Sequence, residues 1–327
     1  MIFKHVQRAA FLACAIALSA GTASAQSYPT RPITVVVPFS AGGPTDTVTR
    51  LVSDFMSKDL GQQVVVENVG GAGGTLGAAR VAKAAPDGYT LLLHHIGIAT
   101  SATLYRKLPY DAVKDFEYIG LVTDVPMTIV GRADLEPKDL KGLVDYIKAN
   151  KDKVTYANAG IGAASHLCGM LFMSAIETPV TTVPYKGTGP AMTDLLGGQV
   201  DFMCDQTTNT TNQIKNGKIK AYATTSRKRL AALPDVPTAV EGGLKDFEVG
   251  IWHGLYAPKG TPKEVTDRLV ASLQKALLDE TVKTRLGELG TEPVTQDMAT
   301  PVALKAKVET EITRWAPIIK AAGVYAD

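Results

Sequence analysis

Two glycine-rich loops contain the first residues in this 327-residue chain whose types and spacing suit a chemical task. One runs from Pro38 to Asp46 and the other from Asn158 to His166, and each follows an apolar run and precedes a helical pattern. Glycine allows a backbone to approach a ligand closely, and free N–H groups at a helix N-terminus attract anions. Both loops therefore predict reversible capture of an anion by backbone donors.

Polar side chains in and near these loops allow two interpretations each. Asp46 is a ligand contact or the partner of Arg50 in an i,i+4 ion pair. His166 is a ligand donor or a packed core histidine, and Ser165 is a donor in the first helical turn. Further polar strand ends lie at residues 94–98, 185–189 and 205–209, and Lys186 is their only basic side chain.

Enzyme motifs fail when they are tested against the sequence. A near match to G-x-G-x-x-G has Leu76 in place of the last glycine, and Ser165 lacks the flanking glycines of a G-x-S-x-G elbow. His94 and His95 are adjacent, so on a strand they are expected to point to opposite faces and to make a poor metal pair. We predict no catalytic residue, no metal and no cofactor.

The elements that must position these loops alternate between strand and helix almost throughout, which predicts an α/β fold with parallel sheets. Short separate strands are predicted at 118–122 and 127–130. The helical last 75 or so residues are expected to return to the first unit, because they lack the strands of a third sheet domain. Lobe 1 is thus predicted at 26–127 and 248–327, and lobe 2 at 128–247, with a ligand cleft between them.

The N-terminus has the pattern of a secretory signal peptide over residues 1–25. Lys4 and Arg8 precede an apolar segment that is too short to span a bilayer, and Ala23-Ser24-Ala25 is a cleavage site; a retained anchor is the alternative. The chain has 34 basic and 32 acidic residues, so removal of this segment leaves no net charge to attract nucleic acid or anionic lipid. Export to the periplasm through the Sec pathway is expected.

Two of the three cysteines, Cys168 and Cys204, lie beyond this segment. Cys168 is early in a predicted helix and Cys204 ends a predicted neighbouring strand, so a disulfide can form in an oxidising compartment. The alternative is a pair of small buried thiols.

Eight stretches together resemble the substrate-binding proteins of tripartite tricarboxylate transporters, the Bug or TctC family. They occur in order along the chain, at residues 28–33, 38–46, 66–77, 86–91, 156–166, 183–187, 194–201 and 233–238. The resemblance implies a type II periplasmic-binding-protein fold in which residues 39–46 and 160–166 grip a carboxylate from opposite lobes, partly through water. It also implies delivery to a membrane permease of one large and one small subunit.

The candidate ligand-binding residues combine these loops with the other polar strand ends. They are Phe39, Ser40, Ala41, Gly42, Gly43, Thr45, Asp46, His95, Gly97, Gly160, Gly162, Ala163, Ser165, His166, Lys186, Asp205 and Gln206.

The expected ligand is a small organic carboxylate bound by a monomer. The stretch Met203 to Thr208 departs from the family pattern, and its threonine-rich character resembles the branch that takes dicarboxylates, aromatic ones included. Two rival functions remain open from the sequence: a periplasmic input domain for a two-component sensor, and a secreted enzyme on the same fold.

Overall fold

The structure is a computed structural model that describes residues 28–326. The predicted signal peptide, residues 1–25, lies outside the described residues. Within residues 28–326, nine strands form two sheets that share one long strand, and helices cover both sheets. The two-lobe α/β fold predicted from the sequence is confirmed.

The first sheet has the order β2-β1-β3-β9-β4. Its strands are β1 (Ile33–Val37), β2 (Val64–Asn68), β3 (Thr90–His95), β9 (Gly250–Pro258) and the first part of β4 (Phe116–Arg132). β1 pairs in parallel with β2 and β3, whereas β9 runs antiparallel to both β3 and β4. The prediction of purely parallel sheets is therefore wrong at the centre, because β9 returns to this sheet from the second lobe.

Helices on the first sheet come from both ends of the chain. They are α1 (Pro44–Leu60), α2 (Thr75–Ala82), α3 (Gly97–Leu104), α8 (Lys263–Leu278), α9 (Glu280–Glu288) and α10 (Pro301–Ala322). In α1, Pro44 fits the first turn, and Gly61 ends the helix with a left-handed φ of 69°. In the structure α8 packs on α1, and α10 packs on α3 and β4.

The second sheet consists of the last part of β4 with β5 (Thr155–Asn158), β6 (Thr181–Pro184), β7 (Phe202–Gln206) and β8 (Ile219–Thr224). Four helices belong to it: α4 (Leu140–Ala149), α5 (Ala164–Ala175), α6 (Thr188–Leu196) and α7 (Thr207–Lys215). We call the first sheet with its helices the first lobe and the second sheet with its helices the second lobe.

Strand β4 corrects the prediction of two short strands, because it continues without a break through residues 116–132. It pairs with β9 as far as Pro126. Its pairing with β7 begins at Met127, and its pairing with β8 begins at Thr128. We propose lobe boundaries at 127/128 and 247/248, as expected from the sequence. This register supports them, because the chain changes sheets at Met127 and β9 re-enters the first sheet at Gly250.

Candidate functional site

A small cavity lies between the lobes where their strands end and their helices begin. Seven predicted residues line it together: Phe39, Gly43, Thr45, His95, Ser165, Asp205 and Gln206. The sequence interpretation missed four further lining residues: Pro44, Ala159, Ala164 and Thr188. Their signal was position, since each is at the end of a strand or in the first turn of a helix.

Four helix N-termini meet at this cavity. Its lining includes the first turns of α1, α5 and α6 and Gln206, the residue before α7. None of these four helices has a side chain that caps its N-terminal N–H groups. By contrast, Asp139, Asp279 and Thr300 cap α4, α9 and α10 elsewhere in the molecule. Uncapped N–H groups and helix dipoles that face one small space favour an anion there.

Among residues 28–326, those that line the cavity include no lysine or arginine, and Asp205 is their only carboxyl group. Burial raises the pKa of Asp205 to about 6, although hydrogen bonds from Asn209 Nδ2 (2.6 Å) and the Gln206 backbone oppose this. Gln206 Oε1 is buried without a hydrogen-bond partner among residues 28–326. The site therefore has a buried acid whose pKa is raised toward neutral pH and a free acceptor, beside its backbone donors.

In the first loop, Asp46 holds the backbone in place instead of lining the cavity. Its carboxylate accepts hydrogen bonds from Gly42 N (3.0 Å), Arg50 Nε (2.9 Å) and Asn68 Nδ2 (2.9 Å). Burial acts to raise the pKa of Asp46, but these bonds together lower it below its usual value. Of the two interpretations, this geometry matches the ion pair with Arg50, while Ala41 and Gly42 are exposed at the tip of the loop.

In the second loop, Ser165 lines the cavity but its hydroxyl is already occupied. Ser165 Oγ accepts a 2.8 Å hydrogen bond from Ala159 N. Gly160 and Gly162 have φ values of 97° and 86°, which favour glycine, and Ala163 is the buried residue before α5. His166 is mostly buried, its Nδ1 accepts from Gly162 N at 3.4 Å, and burial lowers its pKa. These contacts fix the loop that presents the α5 N-terminus.

Replacing Ser165 with alanine is expected to lower the free energy of unfolding by about 1–3 kcal/mol, because the buried Ala159 N–H is left unpaired. Ser174→Ala in the same helix is the control, since Ser174 is exposed and a surface change is expected to stay within about 0.5 kcal/mol. Urea unfolding of both variants measures the difference. Equal stabilities would contradict the assigned role of the Ser165 hydroxyl.

The lobes touch along a seam beside the cavity. Ser40 N donates to Lys186 O (3.0 Å), Tyr105 OH to Ile161 O (2.9 Å) and Thr100 Oγ1 to Gly162 O (3.2 Å). Lys186 thus contributes its carbonyl group here, and its side chain is exposed and outside the cavity lining. The two lobes are therefore in a closed arrangement.

Glycines make this closed seam possible. A Cβ atom on Gly73 would overlap the carbonyl oxygen of Ile161, and one on Gly70 would lie 2.7 Å from Lys186 O. From the other lobe, a Cβ atom on Gly189 would lie 2.6 Å from Ala41 O. Such distances to backbone atoms leave no room for a side chain, so the lobes approach through bare backbone.

Beneath the cavity, His94, His95 and His253 form a buried cluster. The ring centroids of His94 and His95 are 5.0 Å apart, so the expectation that these side chains point to opposite faces is wrong. The regular alternation is lost because β3 ends at His95, whose Nδ1 accepts a hydrogen bond from Gly97 N. Burial lowers the pKa values of His94 and His253 to about 3 and that of His95 well below its usual value. All three rings are therefore neutral.

His253 was missed from the sequence although its Nε2 lies 3.3 Å from Thr45 Oγ1. It lies on β9, from where it orients this residue of the cavity. Phe39 stacks on His95 with ring centroids 4.6 Å apart, which gives the cavity a flat apolar wall. In the described part of the chain, no group of three His, Cys, Asp or Glu residues is placed to hold a metal ion.

The structure joins Cys168 and Cys204 in a disulfide, with Cα atoms 6.0 Å apart. The bridge connects α5 to β7 directly behind the cavity-lining residues Ser165 and Asp205. Both cysteines are fully buried. Over residues 28–326, the helices are all too short or too polar to cross a membrane.

A model of the tripartite tricarboxylate transporter family receptor, TctC, matches residues 48–324. The chain belongs to the TctC family. Members of this family are solute-binding proteins rather than enzymes, and its structural neighbours are periplasmic binding proteins. The resemblance noted in the sequence is thereby confirmed.

Individual relatives agree with the TctC assignment. A protein of Agrobacterium vitis, the UPF0065 protein in the TAR-I ttuE-ttuC' intergenic region, is 59% identical over 91% of this chain and 86% of its own length. The periplasmic binding protein BugD is 56% identical with a TM-score of 0.90, covering 92% of this chain and 100% of its own. MatC from Rhodopseudomonas palustris, solved with bound malate, is 44% identical with a TM-score of 0.86, covering 89% and 100%.

Proposed function

We propose that this TctC protein captures a small dicarboxylate in the periplasm and delivers it to a membrane permease of one large and one small subunit. The observation that carries the proposal is the meeting of four uncapped helix N-termini at one closed cavity without lysine or arginine. Backbone donors hold an anion without a buried ion pair, whose desolvation is costly, and this suits release as well as capture.

The cavity favours a compact ligand. Its walls are strand ends and first helical turns from both lobes, and the lobes approach closely in this closed arrangement. The donors come from both lobes, so a carboxylate at each end of a short chain can engage both. Malate, the ligand in the MatC structure, has this form. Aromatic dicarboxylates are the second class to test, because the stacked Phe39 and His95 rings provide a flat wall.

Binding is expected to raise the unfolding temperature of the purified protein. A ligand at about 100 times its Kd stabilises the folded state by about 2.7 kcal/mol. A thermal-shift screen of mono-, di- and tricarboxylates, with sugars and neutral amino acids as controls, identifies the class. Isothermal titration then gives the affinity, and unchanged ligand recovered after long incubation separates binding from turnover. Shifts produced only by sugars or neutral amino acids would contradict the proposed ligand class.

Delivery to a permease needs its own test, because a sensor input domain would bind the same ligand. We expect deletion of the gene for this protein to abolish uptake of the radiolabelled dicarboxylate and deletion of the permease genes to have the same effect. A retained rate of uptake together with a lost transcriptional response would favour the sensor. Expression of the full chain with its N-terminal segment, followed by fractionation and N-terminal sequencing, tests export and cleavage before Gln26.

A further inference from the structure

Asp205 is an unexpected group in a cavity built for anions. It ends β7, its side chain is 1% exposed, and it lines the cavity beside the N-terminus of α7. The lining offers no lysine or arginine to balance its charge. A bound dicarboxylate would place two further negative charges in the same closed space. Carboxylates that share a site without a cation cannot all stay ionised, so one of them takes up a proton.

We propose that Asp205 takes up a proton when the ligand binds and, in its neutral form, donates a hydrogen bond to a ligand carboxylate. This inference rests on the proposed function, and it states which group takes up a proton when the ligand binds. The uncapped helix N-termini at the cavity favour the charged form of the ligand carboxylates, whereas burial disfavours the charged form of Asp205. Asp205 is therefore the group that holds the proton in the complex.

The titratable groups around Asp205 have pKa values that burial shifts away from neutral pH, whereas the pKa of Asp205 is shifted toward it. On β5, burial raises the pKa of Tyr156 above its usual value. On α5 and β3, burial lowers the pKa values of His166 and His95, so both rings are neutral. The neighbours of Asp205 on β4, α6 and α7 include Thr128, Thr188 and Asn209, which do not titrate.

Burial already brings Asp205 close to this change, and one hydrogen bond acts against it. Burial raises its pKa to about 6 before any ligand charge is added. Asn209 Nδ2 donates to Oδ2 at 2.6 Å, which fixes the carboxyl group and opposes protonation. The ion pair of Arg132 with Asp201 lies at the opposite end of β7, where it serves the strand and not the cavity.

The sign of the pH dependence follows directly. Below about pH 6 Asp205 is protonated before and after binding, so affinity is level. Above pH 6 each binding event must also bind a proton, so affinity falls about tenfold per pH unit. Without the proposed linkage, affinity for a fully ionised dicarboxylate stays constant over this range.

The test uses L-malate and succinate as probes with the protein from Gln26 onward. Isothermal titration at pH 7.5 in buffers of different ionisation enthalpy is expected to show uptake of nearly one proton per ligand. The Kd is expected to rise about tenfold between pH 7 and pH 8. Asp205→Asn, which is neutral at every pH, is expected to bind with a Kd that is constant over this range and without proton uptake.

A second variant tests the inference independently in case Asp205→Asn does not fold. Asn209→Ala removes a hydrogen bond that favours the charged carboxylate, so the pH at which affinity begins to fall is expected to move upward. A structural role for Asn209 would change the affinity without moving that pH. Apo melting curves establish that each variant is folded.

Four outcomes would overturn the inference. Wild-type binding that is flat between pH 7 and pH 8 removes the linkage but leaves the proposed function intact. Proton uptake that persists in Asp205→Asn assigns the proton to another group. Loss of binding in folded Asp205→Asn, without proton uptake by the wild type, shows that the charged carboxylate accepts a hydrogen bond from the ligand. Failure of every dicarboxylate to bind the wild type at any pH overturns the proposed function and this inference with it.

Discussion

Replacing Gly73 with alanine is expected to weaken ligand binding by about 100-fold or more, equivalent to about 2.8 kcal/mol. The new methyl group would overlap the Ile161 carbonyl oxygen of the other lobe, so the closed arrangement becomes inaccessible. Apparent affinity falls in proportion to the population of the state that binds. An open arrangement accommodates the methyl group, so the apo protein is expected to lose only the cost of alanine at a positive φ, about 1 kcal/mol.

Gly217→Ala is the matched control for backbone strain. Gly217 has a φ of 64°, close to the 59° of Gly73, but it is exposed and a Cβ atom there would meet nothing within 4 Å. Isothermal titration and urea unfolding of both variants separate closure from strain. Wild-type affinity in Gly73→Ala would show that binding does not require this contact between the lobes.

Removing the disulfide is expected to lower the free energy of unfolding by about 3–4 kcal/mol, because the bridge closes a loop between cysteines 36 residues apart. The Cys168→Ala/Cys204→Ala double variant tests this in urea. Thiol titration of the denatured, unreduced protein from Gln26 onward is expected to find no free thiol.

Reductant supplies the internal control for that experiment. It should destabilise the wild type to the level of the double variant and leave the double variant unchanged. Ligand affinity is expected to fall in both cases, because the bridge anchors α5 and β7 behind Ser165 and Asp205. Two free thiols in the untreated protein would rule the bridge out.

The sequence was most informative where local chemistry and structure coincide. The loop around Gly42 and Gly43 and the loop around Gly160 and Gly162 were found because glycine spacing and strand-to-helix order are local properties. Their meeting at one cavity was expected from the resemblance and from the position of helix N-termini in open sheets. Which of their residues line the cavity depended on tertiary hydrogen bonds, such as those that turn Asp46 toward Arg50 and Asn68.

Long-range pairing was the part that the sequence did not reveal. Asp124-Val125-Pro126 looks like a break between two strands, yet β9 pairs with this segment and carries the strand through it. Thr45 and His253 are 208 residues apart, and no local pattern links them. The protonation of Asp205 likewise depends on burial by elements that are distant in sequence.

The position of β9 between β3 and β4 also sets the order in which the molecule can assemble during synthesis. Until residues 250–258 emerge from the ribosome, the first sheet is two unconnected fragments, β2-β1-β3 on one side and β4 on the other. The residues of the second lobe lie between the first part of β4 and β9 in the sequence. The second lobe can therefore complete its own sheet before β9 is made. Contacts across more than 100 residues form slowly because of the entropy of closing the chain. The first lobe therefore cannot complete its sheet until β9 has been made, whereas the second lobe does not have to wait for it.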